Sequence, residues 1–271
     1  MNREKTVLVV VAHADDMEFM AAGTVARFID ERHYPVYEYI LTDNSKGSYR
    51  LSGPELAEVS AREAVEAGQL LGLQELRLEG YPDGELNLVS PNTLRDKIMA
   101  FIREIKADIV MSWDPFAPYE DHPDHRAVAM ATLEAAAFSG NPLFHPEHLY
   151  EPHFVAEAYW FAKVPTNDAD CYVDIEAAID KKIHALLLHE CQMDLTVDAL
   201  LQEARTIGAD LPIFNDLTPE VRNQLIEAGI RNFCAETAQA KGLAFAERFR
   251  YEKFGMLDKL FGMDLVQPDL V

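Results

Sequence analysis

The chain has 271 residues, with 46 Asp and Glu against 24 Lys and Arg, a formal net charge of −22 at pH 7. Binding a polyphosphate relies on basic groups that displace condensed counterions, and a chain this acidic with no basic run argues against nucleic acid as a partner. With 49% hydrophobic and 26% charged residues the composition is that of a globular protein, not a disordered one.

Residues 1–6 lead into an apolar run of about six residues, too short for a signal-peptide core or a membrane span, so a cytoplasmic protein is expected. Residues 7–12 (VLVVVA) are apolar and β-branched with polar flanks, the pattern of a strand buried on both faces of a parallel sheet. A helix is expected over Asp16 to Glu31, a strand over Tyr37 to Thr42, and a long helix over Glu55 to Leu71, stopped by Gly72. A short strand at Leu76 to Leu78, a helix at Leu94 to Ile105, a buried strand at Ala107 to Trp113 and a helix at Arg126 to Phe138 follow. Strands alternating with helices predict an α/β fold with a doubly wound, mostly parallel, Rossmann-like sheet.

Beyond Pro142 the pattern changes. Ala158 to Ala162 and Cys171 to Ile175 read as strands, and Ala177 to His189, Val197 to Ile207 and Thr218 to Ala240 as helices. With no repeat, low-complexity tract or linker, one domain over 1–271 is expected, a core α/β half (1–140) followed by strands and helices (141–271). Cys171, Cys191 and Cys234 are widely spaced and suggest neither a disulfide framework nor a thiolate zinc site. His145, His148 and His153 read as surface loop, and Tyr159, Trp160 and Phe161 as core or interface. From Tyr251 to Phe261 the apolar residues Phe254, Leu257, Leu260 and Phe261 form a helical stripe suited to packing on another element or subunit, with too few cations for a membrane anchor.

A doubly wound sheet places its ligand at the carboxyl ends of its strands. There the first strand runs into His13-Ala14-Asp15-Asp16, and the strand ending at Trp113 is followed, across a loop, by His122-Pro123-Asp124-His125. Either cluster alone reads equally as a helix cap or a solvated loop. Together they place three histidines and three aspartates in eight positions, the nitrogen and oxygen ligands of a catalytic zinc site, in which three protein groups leave one position for water.

The stretch VVVAHADDMEFMAAGTVARF resembles the AHPDD motif of the LmbE-like zinc deacetylases, the N-acetylglucosaminyl-phosphatidylinositol deacetylase (PIG-L) family, and HPDH resembles that family's second motif. Tyr81-Pro82-Asp83-Gly84-Glu85-Leu86, Lys182-Ile183-His184-Ala185, His189-Glu190-Cys191-Gln192 and Glu247-Arg248-Phe249 match further family segments in order. The resemblance implies Zn2+ held by His13, Asp16 and His125, with other divalent metals also accepted by such a site. It further implies Asp15 as catalytic base, a charged His122 that steadies the tetrahedral intermediate, and Asp124 orienting that imidazole. The implied reaction is removal of an acetyl group from an N-acetylated amino sugar or its conjugate. Another amide substrate, or non-catalytic ligand binding, stand as alternatives; the latter is disfavoured by the absence of a GxGxxG or Walker loop. A homo-oligomer, trimer or hexamer, is expected from the family together with the apolar tail and the aromatic set near Trp160. Three positions depart from the family pattern: Ala14 replaces a proline, Ser60 an arginine, and Cys191 a serine beside His189. His189 itself reads either as a residue near the active site or as a structural histidine.

Overall fold

The computed structural model describes residues 4–209, 217–262 and 266–270; Met1 to Arg3 of the N-terminal stretch lie outside it. The first strand, β1 (Val7–Val11), has all five side chains buried, as expected for an apolar run with a neighbour on each side. The chain continues through α1 (Asp16–Met20), α2 (Ala22–Arg32), β2 (Val36–Thr42), α3 (Gly53–Leu71), β3 (Glu75–Tyr81), α4 (Pro91–Ile105), β4 (Ile109–Trp113) and α5 (Pro123–Phe138). It then forms β5 (Glu157–Phe161), β6 (Cys171–Asp174), α6 (Ile179–Leu187), α7 (Glu190–Ile207), α8 (Pro219–Ala238), β7 (Ala246–Lys253) and α9 (Leu257–Phe261).

These strands form one seven-stranded sheet in the order β3-β2-β1-β4-β5-β7-β6, the expected doubly wound architecture. Strands β1 to β5 pair in parallel, while β7 runs antiparallel between β5 and β6. From β1 the chain winds outward to β2 and β3, and it then returns to lay β4 on the other side of β1. The carboxyl ends of β1 and β4 therefore flank the topological switch point, where such sheets open a ligand crevice. Both His/Asp clusters leave the sheet at that point.

Two expectations are corrected. The single helix over Asp16 to Glu31 breaks at Ala21 (φ −145°, ψ 0°) into α1 and α2. The cause lies far along the chain: Glu247 on β7 accepts hydrogen bonds from the amides of Gly23 (2.9 Å) and Thr24 (2.7 Å), capping α2 with a carboxylate. Lys182 on α6 pairs with Glu247 at 2.7 Å and donates at 2.7 Å to the carbonyl of Phe19 on α1. Secondly, residues Tyr251 to Lys253, read as the start of a helical stripe, complete β7. Its buried charges Glu247 and Arg250 are paired with Lys182 and Asp114, so hydrophobic patterning alone does not expose it as a strand. Tyr159, Trp160 and Phe161, read as core or interface, are fully buried within β5 and belong to the core, which leaves α9 as the exposed apolar segment of the tail.

Candidate metal centre

Residues Ala12–Asp16 turn sharply off β1, so that a side chain of α1's first residue folds back over the strand end. Asp16 Oδ2 accepts from the amides of Ala12 (3.0 Å) and His13 (2.9 Å) and from Trp113 Nε1 (2.9 Å). That anchorage leaves Oδ1 facing the histidines, 3.3 Å from His125 Nε2 and 3.7 Å from His13 Nδ1. The two imidazole nitrogens are themselves 3.1 Å apart. Ligands about 2.0–2.2 Å from a tetrahedral ion lie roughly 3.3–3.6 Å from one another, so this buried triangle has the dimensions of a three-residue zinc face.

Each imidazole is backed by a carboxylate on its far nitrogen. His13 Nε2 lies 3.1 Å from Asp83 Oδ1 and 3.6 Å from Asp124 Oδ2, and His125 Nδ1 lies 3.1 Å from Glu120 Oε1. Such partners fix the tautomer and ring orientation of metal-binding histidines. The backing is itself held: Asp124 accepts from the amides of Gly84 (2.6 Å) and Leu86 (2.9 Å), and Asp83 from that of Lys46 (3.0 Å). Gly84 carries this turn with φ +75°, a left-handed conformation that suits glycine. Trp113 stacks on His125 with centroids 3.9 Å apart and completes the clamp.

Electrostatics separate the adjacent aspartates. Burial alone would raise both, but the charges and hydrogen bonds of His125 and His13 hold Asp16 well below the carboxylate range. Asp15 instead is pushed up to about 6, by burial and then by the charge of Asp16, against the opposing pull of His189 and His13. Its carboxyl faces a cavity of about 440 Å³ that Asp16 and His125 also line.

His122 caps α5, its Nδ1 accepting from the Asp124 amide at 3.2 Å, with its ring stacked on His125 and edge-on to His13. The part of Asp124 that meets His122 is the backbone N–H, while its carboxylate serves His13. Burial, and then the charges of His13 and His125, lower the His122 pKa, against the pull of Asp124 and Asp16. With Nδ1 taken as acceptor, the neutral ring carries its proton on Nε2.

His189 is fully buried behind Asp15, with Nε2 3.5 Å from Glu18 Oε1; burial lowers its pKa, but Glu18 and Asp15 outweigh this and raise it. Ser60, which stands where the family pattern has an arginine, accepts from Asn44 Nδ2 at 2.9 Å. A second His/Asp cluster, Asp96, His145 and His148, does not fit a metal. His148 Nδ1 receives Arg103 at 3.0 Å, and a metal-bound imidazole needs a proton on that nitrogen. These histidines, read above as surface loop, are partly buried and help hold Arg103, which also donates to the carbonyls of Ser139, Asn141, Phe144 and His145.

Spacing did not reveal Glu120, Trp113 or the role of Asp83. The Pro-Asp-Gly turn directly after β3 was the available signal for Asp83; the contacts of Glu120 and Trp113 depend on a loop path that no local pattern encodes.

Sheet and site together define a doubly wound α/β protein with a triangle of candidate metal ligands at its switch point and the Asp15 carboxyl beside it. The family model PIG-L, GlcNAc-PI de-N-acetylase, matches residues 8–136. The chain is 32% identical over 196 residues to diacetylchitobiose deacetylase of Thermococcus kodakarensis, spanning 70% of this chain and 71% of that protein. It is 29% identical over 215 residues to a probable N-acetyl-alpha-D-glucosaminyl L-malate deacetylase 2 of Bacillus anthracis, spanning 75% and 88%. The chain therefore belongs to the PIG-L (LmbE-like) family of deacetylases. Among solved structures, N,N'-diacetylchitobiose deacetylase from Pyrococcus horikoshii superposes with a TM-score of 0.74 at 24% identity, covering 98% of this chain and 89% of that one. GalB, the 4-carboxy-2-hydroxymuconate hydratase from Pseudomonas putida KT2440, superposes at 0.64 with 17% identity, covering 98% and 100%. Both likenesses concern the fold alone, and the second belongs to a protein named for a different reaction.

Proposed function

We infer that the chain is a zinc-dependent N-deacetylase that removes an acetyl group from an N-acetylated amino sugar or its conjugate. The observation that carries this reading is the triangle of His13 Nδ1, Asp16 Oδ1 and His125 Nε2 beside a carboxyl raised to about 6. His13, Asp16 and His125 would hold the divalent ion, which would supply a Lewis acid to polarise the amide carbonyl and make an attacking water more acidic. Asp15 takes that water's proton and returns it to the departing amine, a task suited to a carboxylate whose pKa lies near neutrality. His122, on the other side of His13 and His125, offers its Nε2–H to the developing oxyanion. Asp124 and Asp83 act on the reaction through His13, and Glu120 through His125.

The same reading takes the chain as one cytoplasmic domain, supported by a sheet that joins strands of both halves, and as a homo-oligomer that buries the exposed Leu257, Leu260 and Phe261 of α9. No helix among the described residues is long and apolar enough to cross a membrane. The test is amine release by the zinc-loaded full chain from N-acetylglucosamine, diacetylchitobiose and inositol or malate conjugates of N-acetylglucosamine, with a chelator control and the solution mass measured in parallel. Zinc-loaded protein that releases amine from none of them refutes the substrate class.

A further inference from the structure

The cavity that Asp15, Asp16 and His125 share is unlike a sugar site. Its other walls are Phe19 and Met20 from α1, Trp113 from the end of β4, and Ile230 and Phe233 from α8, with Lys163 as the one further charged side chain among the described residues. Sugar hydroxyls need donors and acceptors on several sides, and these walls offer almost none. Its volume, about 440 Å³, far exceeds what the methyl of an acetyl group fills. For comparison, an apolar cavity of about 150 Å³ accommodates a benzene ring.

An amide carbonyl poised between Asp15 and the metal triangle sends its acyl chain and its amine in opposite directions. On the side of His13 where His122 and Asp83 stand the surroundings are polar; the other direction enters the apolar chamber. We propose that this chamber binds the acyl part of the substrate, and that the preferred substrate is an amine carrying an apolar acyl chain longer than acetyl, of about six carbons or an aryl ring. This rests on the amide-hydrolase reading above and changes its substrate class. Phe233 and Ile230, on a helix from the C-terminal half, are specificity residues in this view, and Met20 and Phe19 are set by the break between α1 and α2.

Each methylene moved from water into apolar surroundings contributes about 0.8 kcal/mol, which is roughly fourfold in binding or in kcat/KM. The test uses the zinc-loaded full chain on glucosamine acylated with acetyl, butyryl, hexanoyl and benzoyl groups. A second series keeps the acetyl group and varies the glycoside from methyl to phenyl and octyl. Affinity of the metal-free chain for N-hexanoyl and N-acetyl glucosamine is measured by calorimetry as a readout independent of turnover. The expected result is a rise in kcat/KM of more than tenfold from acetyl to hexanoyl, a matching gain in affinity, and a hexanoyl-to-acetyl ratio that collapses in Phe233→Ala and Ile230→Asn. A flat or falling acyl series overturns the proposal, as it would if a second copy of the chain covered Phe233. A rise confined to the glycoside series overturns it too, because the apolar group would then belong to the amine side. Acetyl hydrolysis without chain-length preference leaves the deacetylase reading intact and rejects only the chamber. Preferential hexanoyl binding with no amide hydrolysed supports the chamber and rejects the deacetylase reading.

Discussion

Replacing Asp16 with asparagine tests the metal centre at its most constrained point. The carboxylate accepts three N–H groups on Oδ2, at 3.0, 2.9 and 2.9 Å, from two backbone amides and the Trp113 indole. In Asp16→Asn the amide oxygen must keep that position, because turning the NH2 toward three donors would leave all of them unsatisfied. The NH2 then faces His13 and His125, where it cannot ligate a cation. One substitution thus removes both a ligand atom and a negative charge without changing shape. Loss of a group that merely backs a ligand weakens metal binding by about 10- to 100-fold, so loss of the ligand itself is expected to cost at least about 100-fold. The assay is competition for zinc against a chromogenic chelator, with circular dichroism to show that the variant is folded. Asp15→Asn is the companion: its carboxyl lies outside the triangle, and that variant should keep zinc. If Asp16→Asn holds zinc within about threefold of the parent while Asp15→Asn releases it, the two roles are reversed.

Asp15→Asn is further expected to lower turnover by roughly 10²- to 10⁴-fold with little change in substrate affinity. Since Asp15 works ionised and its carboxyl sits at about 6 without a cation beside it, the acid limb of activity should lie no higher than about pH 6; a limb well above that would exclude Asp15 as the base. Glu247→Gln removes one partner of a fully buried ion pair and should destabilise the fold by about 3–5 kcal/mol in urea unfolding. Adding Lys182→Met should recover part of that loss. Glu38 on β2 has its carboxyl raised well above the ordinary value by burial, then by the charges of Glu18, Asp16 and Asp15. The stability that this group contributes is therefore complete below its unfolded value near 4.5 and lost as pH rises through the raised one. Glu38→Gln should flatten that decline and raise Tm at neutral pH, and a lower Tm there would contradict the sign. Chelation should abolish activity and leave the circular dichroism spectrum largely unchanged, since the apolar core is far larger than that of a metal-dependent finger.

Much of the first half of the chain was legible because its signals are local. Five consecutive buried residues in β1, the Gly72 stop after α3 at φ +91° and the amphipathic α4 depend on neighbours within a turn or two. The two motif loops were legible for a second reason: they leave adjacent parallel strands, and winding rules bring such strand ends together whatever the sequence between them. The finer division of labour was not accessible in this way. Asp15 and Asp16 are chemically identical in the sequence, and what distinguishes them is the indole of Trp113, 97 residues away in the chain, together with the backing of His13 by Asp83, 70 residues away.

The helix break at Ala21 carries this point furthest. Residues 16–32 have continuous helical periodicity, and no proline interrupts them, with Gly23 as the single local weakening of the helix. Helix α1, five residues long, is well below the roughly 12–15 residues at which an isolated helix becomes marginally stable, so it cannot hold its conformation alone. Lys182 accounts for the end of α1 by binding the Phe19 carbonyl, and Glu247 for the start of α2 by accepting two amides. The same two residues neutralise one another. Gly23 permits the approach, since a Cβ there would lie 2.8 Å from Ile175 Cγ2 at the end of β6. Asp16 is the first residue of α1, so the direction in which its carboxylate points is set from one end by Trp113 and from the other by an ion pair more than 150 residues downstream. The C-terminal half is consequently part of the metal centre's support, and a truncation that removes β7 should lose zinc binding even though every proposed ligand lies before residue 126.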